Sequence, residues 1–148
     1  MATIKGKIKA ISISAKKGTK KTNVPEAELK IDFGIVGDAH GGNWHRQISL
    51  LAIESIDKMV AMGAKVYPGD FAENITTDGI ELPKLPIGSM LKIGGDIELE
   101  VTQIGKECHS RCEIFKQIGD CIMPREGIFA KVIKAGTIKN GDSIRGIK

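Results

Sequence analysis

Residues 104–114 read Ile104-Gly105-Lys106-Glu107-Cys108-His109-Ser110-Arg111-Cys112-Glu113-Ile114. A cysteine reacts and ligates as its thiolate, and neighbouring positive charge lowers the thiol pKa. Lys106, His109 and Arg111 can supply that charge around Cys108. Two readings of Cys108 compete. Cysteine is among the most buried residue types, which favours a packing role. Its immediate neighbours here are polar or charged, which favours a reactive or ligating thiol. Cys112 lies four residues on, and on a helix the two sulfurs would share a face. Cys121, beside Ile122 and Met123, reads as a core residue. Together Cys108, His109, Cys112 and Cys121 offer four zinc ligands, but their spacing lacks the paired C-x2-C knuckles of structural zinc sites.

Two further stretches carry polar groups at close spacing. Residues 37–47 run Gly37-Asp38-Ala39-His40-Gly41-Gly42-Asn43-Trp44-His45-Arg46-Gln47. Glycines allow a backbone to approach a ligand and turn N–H groups toward an anion. Arg46 can bind a phosphate through two parallel hydrogen bonds. The plain alternative is a polar turn. Residues 68–75 run Pro68-Gly69-Asp70-Phe71-Ala72-Glu73-Asn74-Ile75. Glu73 and Asn74 read either as groups facing a ligand or as part of a turn leading into a half-buried strand. The nucleotide-binding loops G-x-x-x-x-G-K-[ST] and G-x-G-x-x-G are absent, as are G-x-S-x-G and H-E-x-x-H.

These residues need a scaffold, and the rest of the chain describes one. The 148 residues suit a single domain, 1–148, able to bury a core without staples. Hydrophobic residues make up 41% and charged residues 27%, the balance of a water-soluble domain. Aromatics are 4%, too few for stacking along single-stranded nucleic acid, so no nucleic-acid partner is expected. The net charge of +4 is concentrated at the two ends, with eight Lys in residues 1–30. This is either a pair of solvated basic segments or a basic rim for an anionic ligand. No apolar run approaches a membrane span, no signal-peptide pattern opens the chain, and three cysteines is an odd number. A cytoplasmic protein with reduced thiols is expected.

Alternating or apolar runs predict strands over residues 3–14, 27–36, 46–50, 71–76, 90–93, 96–103, 127–134 and 143–147. In the second, Leu29, Ile31, Phe33 and Ile35 would share one face. Residues 15–25 read as a loop. Gly94-Gly95 marks a two-residue hairpin turn. One helix is predicted over residues 50–62, capped by Ser49 and Gly63, with Ile53, Ile56, Met59 and Val60 facing the core and a Glu54–Lys58 pair outside. Residues 114–118 could add a helical turn. The fold class is therefore mostly β, a barrel or sandwich with one or two short-to-medium helices.

Three segments together resemble the MOSC domain, named for the C-terminal domain of molybdenum cofactor sulfurase. They are Gly37-Asp38-Ala39-His40 with Arg46-Gln47-Ile48-Ser49, then Gly69-Asp70-Phe71-Ala72-Glu73-Asn74-Ile75, then Gly105-Lys106-Glu107-Cys108-His109. The segment from Gly119 through Pro124-Arg125-Glu126-Gly127 to Phe129 resembles the small free-standing bacterial branch. The resemblance spans nearly the whole chain. It implies a MOSC-type β-barrel that binds the molybdenum cofactor, a molybdopterin with a phosphate tail. It sets Cys108 at the position of the metal ligand or sulfur carrier, a role for which a thiolate is both soft ligand and nucleophile. Arg46, Lys106 and Arg111 would then hold the phosphate, with Asp38, His40, Glu73, Asn74 and His109 around the cofactor. Neither the cysteine desulfurase domain of the full sulfurases nor the N-terminal barrel of the amidoxime-reducing members is present. Pyridoxal phosphate, associated with the family through the desulfurase, is not supported, since nothing argues for a Schiff-base lysine. The implied partners are a cysteine desulfurase or other sulfur donor, and a molybdoenzyme or cofactor-synthesis protein. The implied activity is sulfurtransferase-like sulfur carriage. The alternatives are a molybdenum-dependent oxidoreductase component acting on N-hydroxylated substrates and a non-catalytic binding module.

Overall fold

The computed structural model describes residues 5–16, 21–105 and 126–147. Among the described residues the strands are β1 (Lys5–Ile13), β2 (Thr22–Val24), β3 (Glu26–Lys30), β4 (Gly34–Ile35), β5 (Ile48–Ala52), β6 (Ile75–Asp78), β7 (Met90–Ile93), β8 (Ile97–Ile104), β9 (Ile128–Lys134), β10 (Gly136–Lys139) and β11 (Ser143–Ile147), with an α-helix, α1 (Ile53–Ala61), and a short 3-10 turn at Leu82–Lys84. The main sheet runs β11-β7-β8-β9-β5-β6-β1-β2, and β11 also pairs with β1. That last pairing, Lys5 opposite Arg145, closes seven strands into a barrel. β10, β3 and β4 form a small second sheet.

Period-two alternation builds the barrel interior. Ile97, Leu99 and Val101 of β8 point inward beside Leu91 and Ile93 of β7 and Ile144 of β11. β5 is buried on both faces. Its Ile48, Leu50 and Ala52 enter the barrel, while Leu51 joins Ile56, Met59, Phe71 and Phe129 in a second cluster beneath α1. β5 and β6 are parallel, and parallel neighbours need a crossover, which α1 provides. Among the described residues no helix is long and apolar enough to cross a membrane.

The helix begins three residues later than the pattern predicts. Leu50, Leu51 and Ala52 are the end of β5, because an apolar run of this kind fits a doubly buried strand as well as a helix. The N-cap is Ala52 and makes no side-chain cap, so Ser49 has no capping role. Gly63 does end the helix. At φ +101° it donates to the Val60 carbonyl, and Ala64 donates to that of Met59, a Schellman arrangement. Val60 is 48% exposed and does not face the core. Glu54 and Lys58 do not pair with each other. The Gly79 amide donates to Glu54 at 2.8 Å, and Lys58 reaches Glu126 at 3.0 Å.

The predicted strand at 27–36 is two strands. Asp32 at φ +59° and Gly34 at φ +115° turn the chain back, so β3 pairs with β4 with Leu29 opposite Ile35. Those two are buried, while Ile31 at 54% and Phe33 at 37% exposure sit on the turn. Residues 15–25 contain β2, which pairs with β1. The strand predicted at 71–76 starts only at Ile75, because Ala72 at φ +63° interrupts extension. The strand expected from residue 46 starts at Ile48, leaving Arg46 in the preceding loop. The β7–β8 turn takes three residues, 94–96, between paired Ile93 and Ile97.

Candidate functional site

The loop between β4 and β5 is the site's frame. Asp38 lies at its start and is buried. Its Oδ1 accepts from the Ser14 amide at 3.0 Å and from Lys21 Nζ at 2.7 Å, and its Oδ2 accepts from the His40 amide at 3.1 Å. Burial opposes ionisation of Asp38. Hydrogen bonds from His40, Lys21 and Ser14, with the Lys21 charge, outweigh it and hold the carboxyl well below the usual carboxylate range. Lys21 also approaches His40 Nδ1 at 3.0 Å. This lysine is 4% exposed, so the basic N-terminal segment is not uniformly solvated.

From His40 the loop continues as a layered aromatic and cationic stretch. The His40 and Trp44 rings are parallel with centroids 6.4 Å apart, and Trp44 Nε1 donates to the His40 carbonyl at 2.8 Å. The Arg46 guanidinium lies 4.9 Å from the Trp44 ring centroid and 5.6 Å from that of Phe129. Arg46 Nε is buried and has no hydrogen-bond partner among the described residues. A buried donor without a partner costs about 1–3 kcal/mol, so this N–H suits an oxyanion supplied from outside the described chain. His45 Nε2 sits 2.9 Å from Gln103 Oε1, and Thr102 Oγ1 donates to the His45 carbonyl. These contacts tie the loop to the end of β8.

The segment bearing Cys108 leaves from that same place. Gly105 N donates to the Gly127 carbonyl at 2.6 Å, and Gln103 Nε2 donates to the Gly105 carbonyl at 2.8 Å. Gly105 and Gly127, described residues on either side of this stretch, thus meet at the paired ends of β8 and β9, where Gln103 stands opposite Phe129. Lys106, Cys108, His109 and Arg111 lie outside the described residues, as do Cys112, Cys121 and the predicted turn at 114–118.

Glu73 and Asn74 are fully buried with protein partners. Glu73 accepts from the Phe71 amide at 3.2 Å and from Thr76 Oγ1 at 2.8 Å. Asn74 Oδ1 accepts from the Ser49 amide at 3.0 Å, and its Nδ2 donates to the Ser12 carbonyl at 3.1 Å, joining β1 to β5. Gly69, at φ +97°, accepts from the Lys21 amide at 2.9 Å. The 68–75 stretch therefore holds the backbone of Lys21 from beneath, while the 37–47 loop meets its side chain.

Burial raises the pKa of Glu73 against the lowering effect of its hydrogen bonds. A carboxyl raised on folding adds stability below its unfolded pKa and loses it as pH rises through the folded value. In Glu73→Gln that pH dependence is expected to vanish, so the variant's stability relative to the native chain improves as pH rises above the ordinary glutamate pKa of about 4.3. Urea unfolding at several pH values measures it, and parallel curves would contradict it.

Lys21 and Ser14 escape sequence reasoning, since nothing separates Lys21 from its neighbours Lys16, Lys17 and Lys20. Phe129 escapes it too, because an aromatic in an apolar strand signals only core. Among the described residues no group of three or more His, Cys, Asp or Glu is placed to hold a metal ion. The described part of the site offers an anion the guanidinium of Arg46 and the imidazole of His40, the latter held by a buried Lys21 whose own donors are taken.

Similar solved structures share the fold. The YuaD protein from Bacillus subtilis is similar at TM-score 0.81 and 20% identity, over 97% of this chain and 96% of that one. YiiM from Escherichia coli is similar at TM-score 0.65 and 17% identity, over 96% of this chain and 70% of that one. YiiM from Geobacillus stearothermophilus is similar at TM-score 0.64 and 18% identity, over 99% and 74%. No curated protein matches by sequence. The family model for the MOSC domain matches residues 37–145, from the start of the Asp38 loop to β11. The chain belongs to the MOSC domain family, which is linked to the molybdenum cofactor.

Proposed function

We propose that this chain carries sulfur for, or otherwise handles, the molybdenum cofactor through the thiolate of Cys108. The observation that carries the reading is the buried Arg46 Nε, which has no hydrogen-bond partner among the described residues, on a guanidinium 5.6 Å from the ring centroid of Phe129, two residues from Gly127. Cys108 is three residues beyond Gly105, so chain length alone keeps their Cα atoms within about 11 Å. A phosphate-bearing ligand held at Arg46 would lie near this thiol. Arg46 would take the phosphate, with His40 adding a donor and Lys106 and Arg111 adding positive charge.

When bound, the cofactor supplies a molybdenum centre able to take a sulfur ligand. The chain's own step is simpler. The Cys108 thiolate attacks the outer sulfur of a donor persulfide, the new S–S bond forms as the donor's breaks, and the donor leaves as a thiolate. Lys106, His109 and Arg111 would favour the thiolate. The donor would be a cysteine desulfurase or another persulfide protein, and the acceptor a molybdoenzyme or cofactor-synthesis protein. A reducing compartment such as the cytoplasm suits a thiol of this kind.

Intact-mass and peptide mass spectrometry after incubation with a persulfide donor tests it. The native chain is expected to gain one sulfur at Cys108. Cys108→Ser is expected to lose loading entirely, and Cys112→Ser to keep most of it. Undiminished loading of Cys108→Ser would reject the assignment.

A further inference from the structure

Lys21 has three N–H donors and no acceptor. Its ammonium meets three acceptors: Asp38 Oδ1 at 2.7 Å, His40 Nδ1 at 3.0 Å and Ser14 Oγ at 3.1 Å. The Ser14 hydroxyl donates its own proton to the Lys16 carbonyl at 2.9 Å, so the oxygen turns a lone pair to Lys21. The Asp38 carboxylate is sealed beside it, with both side chains fully buried. A nitrogen that faces this ammonium at hydrogen-bond distance has to present a lone pair. The ring proton of neutral His40 then belongs on Nε2. The His40 side chain keeps 16% exposure, and its Nε2 has no hydrogen-bond partner among the described residues.

We infer that Lys21 is a positioning residue that fixes His40 as the Nε2–H tautomer, a neutral donor for a phosphate-type oxyanion. Trp44 lies parallel to the His40 ring, and the Arg46 guanidinium lies 4.9 Å from the Trp44 centroid. The arrangement explains why a lysine is buried here. Its charge is spent on one histidine nitrogen and one carboxylate, and the other histidine nitrogen is left to act as donor. The inference rests on the anion-binding part of the proposed function and is independent of Cys108.

The test is imidazole nitrogen NMR on the 15N-labelled chain without cofactor, with His40 assigned by comparison with His40→Asn. The expected spectrum shows Nδ1 unprotonated and Nε2 protonated, with the Nε2 resonance moving on addition of inorganic phosphate. In Lys21→Met the preference for Nε2–H is expected to fall roughly tenfold, the worth of one charge-assisted hydrogen bond. Three results would overturn the inference: an Nδ1–H tautomer in the native chain, an Nε2–H resonance indifferent to phosphate, or an unchanged tautomer in folded Lys21→Met. The native-chain arm needs no variant to fold. Failure of sulfur loading at Cys108 would leave these spectra unchanged, so the two readings fail separately.

Discussion

Asp38→Ala is expected to lower the unfolding free energy by about 3–5 kcal/mol, the loss typical when one partner of a buried ion pair is removed. The alanine takes the carboxylate from three donors at once, the Ser14 amide, the His40 amide and Lys21 Nζ, and leaves the buried Lys21 charge without a counter-charge. Lys21 has nowhere to go, since its Nζ is enclosed and its backbone is pinned to Gly69. Equilibrium urea unfolding at neutral pH measures the effect. A loss below about 1 kcal/mol would mean that water reaches Lys21 and the pair behaves as a surface salt bridge. The acid behaviour carries a second signature. A carboxyl depressed on folding adds stability above its unfolded pKa of about 3.9, and that stability drains away as pH falls through the folded value. The native chain should therefore lose stability into strong acid more steeply than Asp38→Ala does.

Gly69→Val is expected to be comparably damaging, by about 2–5 kcal/mol. At φ +97° a branched side chain is strained, at about 1–3 kcal/mol. A Cβ there would also stand 2.5 Å from the Lys21 carbonyl oxygen and 3.0 Å from Ser12 Oγ. The Lys21 backbone cannot yield cheaply, and overpacking adds a similar amount. Gly63→Val is the control. Its φ is +101° but nothing lies within 4 Å of the added Cβ, so it should show the backbone strain alone. Equal losses at the two positions would mean that the Lys21 contact at Gly69 relaxes. Because Gly69 sets the height of Lys21, the larger loss should come with weaker phosphate binding, a change that Gly63→Val should not produce.

Much of the barrel was legible because its strands alternate cleanly. Ile97, Leu99 and Val101 between Glu98, Thr102 and Glu100 can only be a half-buried strand, and β8 is that strand. Residues 27–36 show where the same pattern misleads. Leu29, Ile31, Phe33 and Ile35 keep period two straight through a turn, and only the backbone at Asp32 and Gly34 reveals it. The run from Leu50 to Ala52 hid a strand end because a doubly buried strand has no polar face to set its period. In the site, the order of three weak motifs singled out the loop around Asp38 and Arg46. It could not show that Glu73 and Asn74 spend their hydrogen bonds on Thr76, Phe71, Ser49 and Ser12, because long-range partners leave no local spacing. Lys21 was invisible for the same reason. One lysine in a lysine-rich run differs from the rest only by what folds over it.

The β1–β11 seam has a consequence for synthesis on the ribosome. One edge of β1 is divided, with Lys5–Lys7 against β11 and Ile11–Ile13 against β2. The first part stays bare until residues 143–147 have emerged, and the free edge of β7 waits for the same strand. A nascent chain that stalls short of Ser143 would present two unpaired strand edges to its neighbours, the template for edge-to-edge aggregation. Truncated translation products of this protein should therefore need chaperone capture that the finished chain does not.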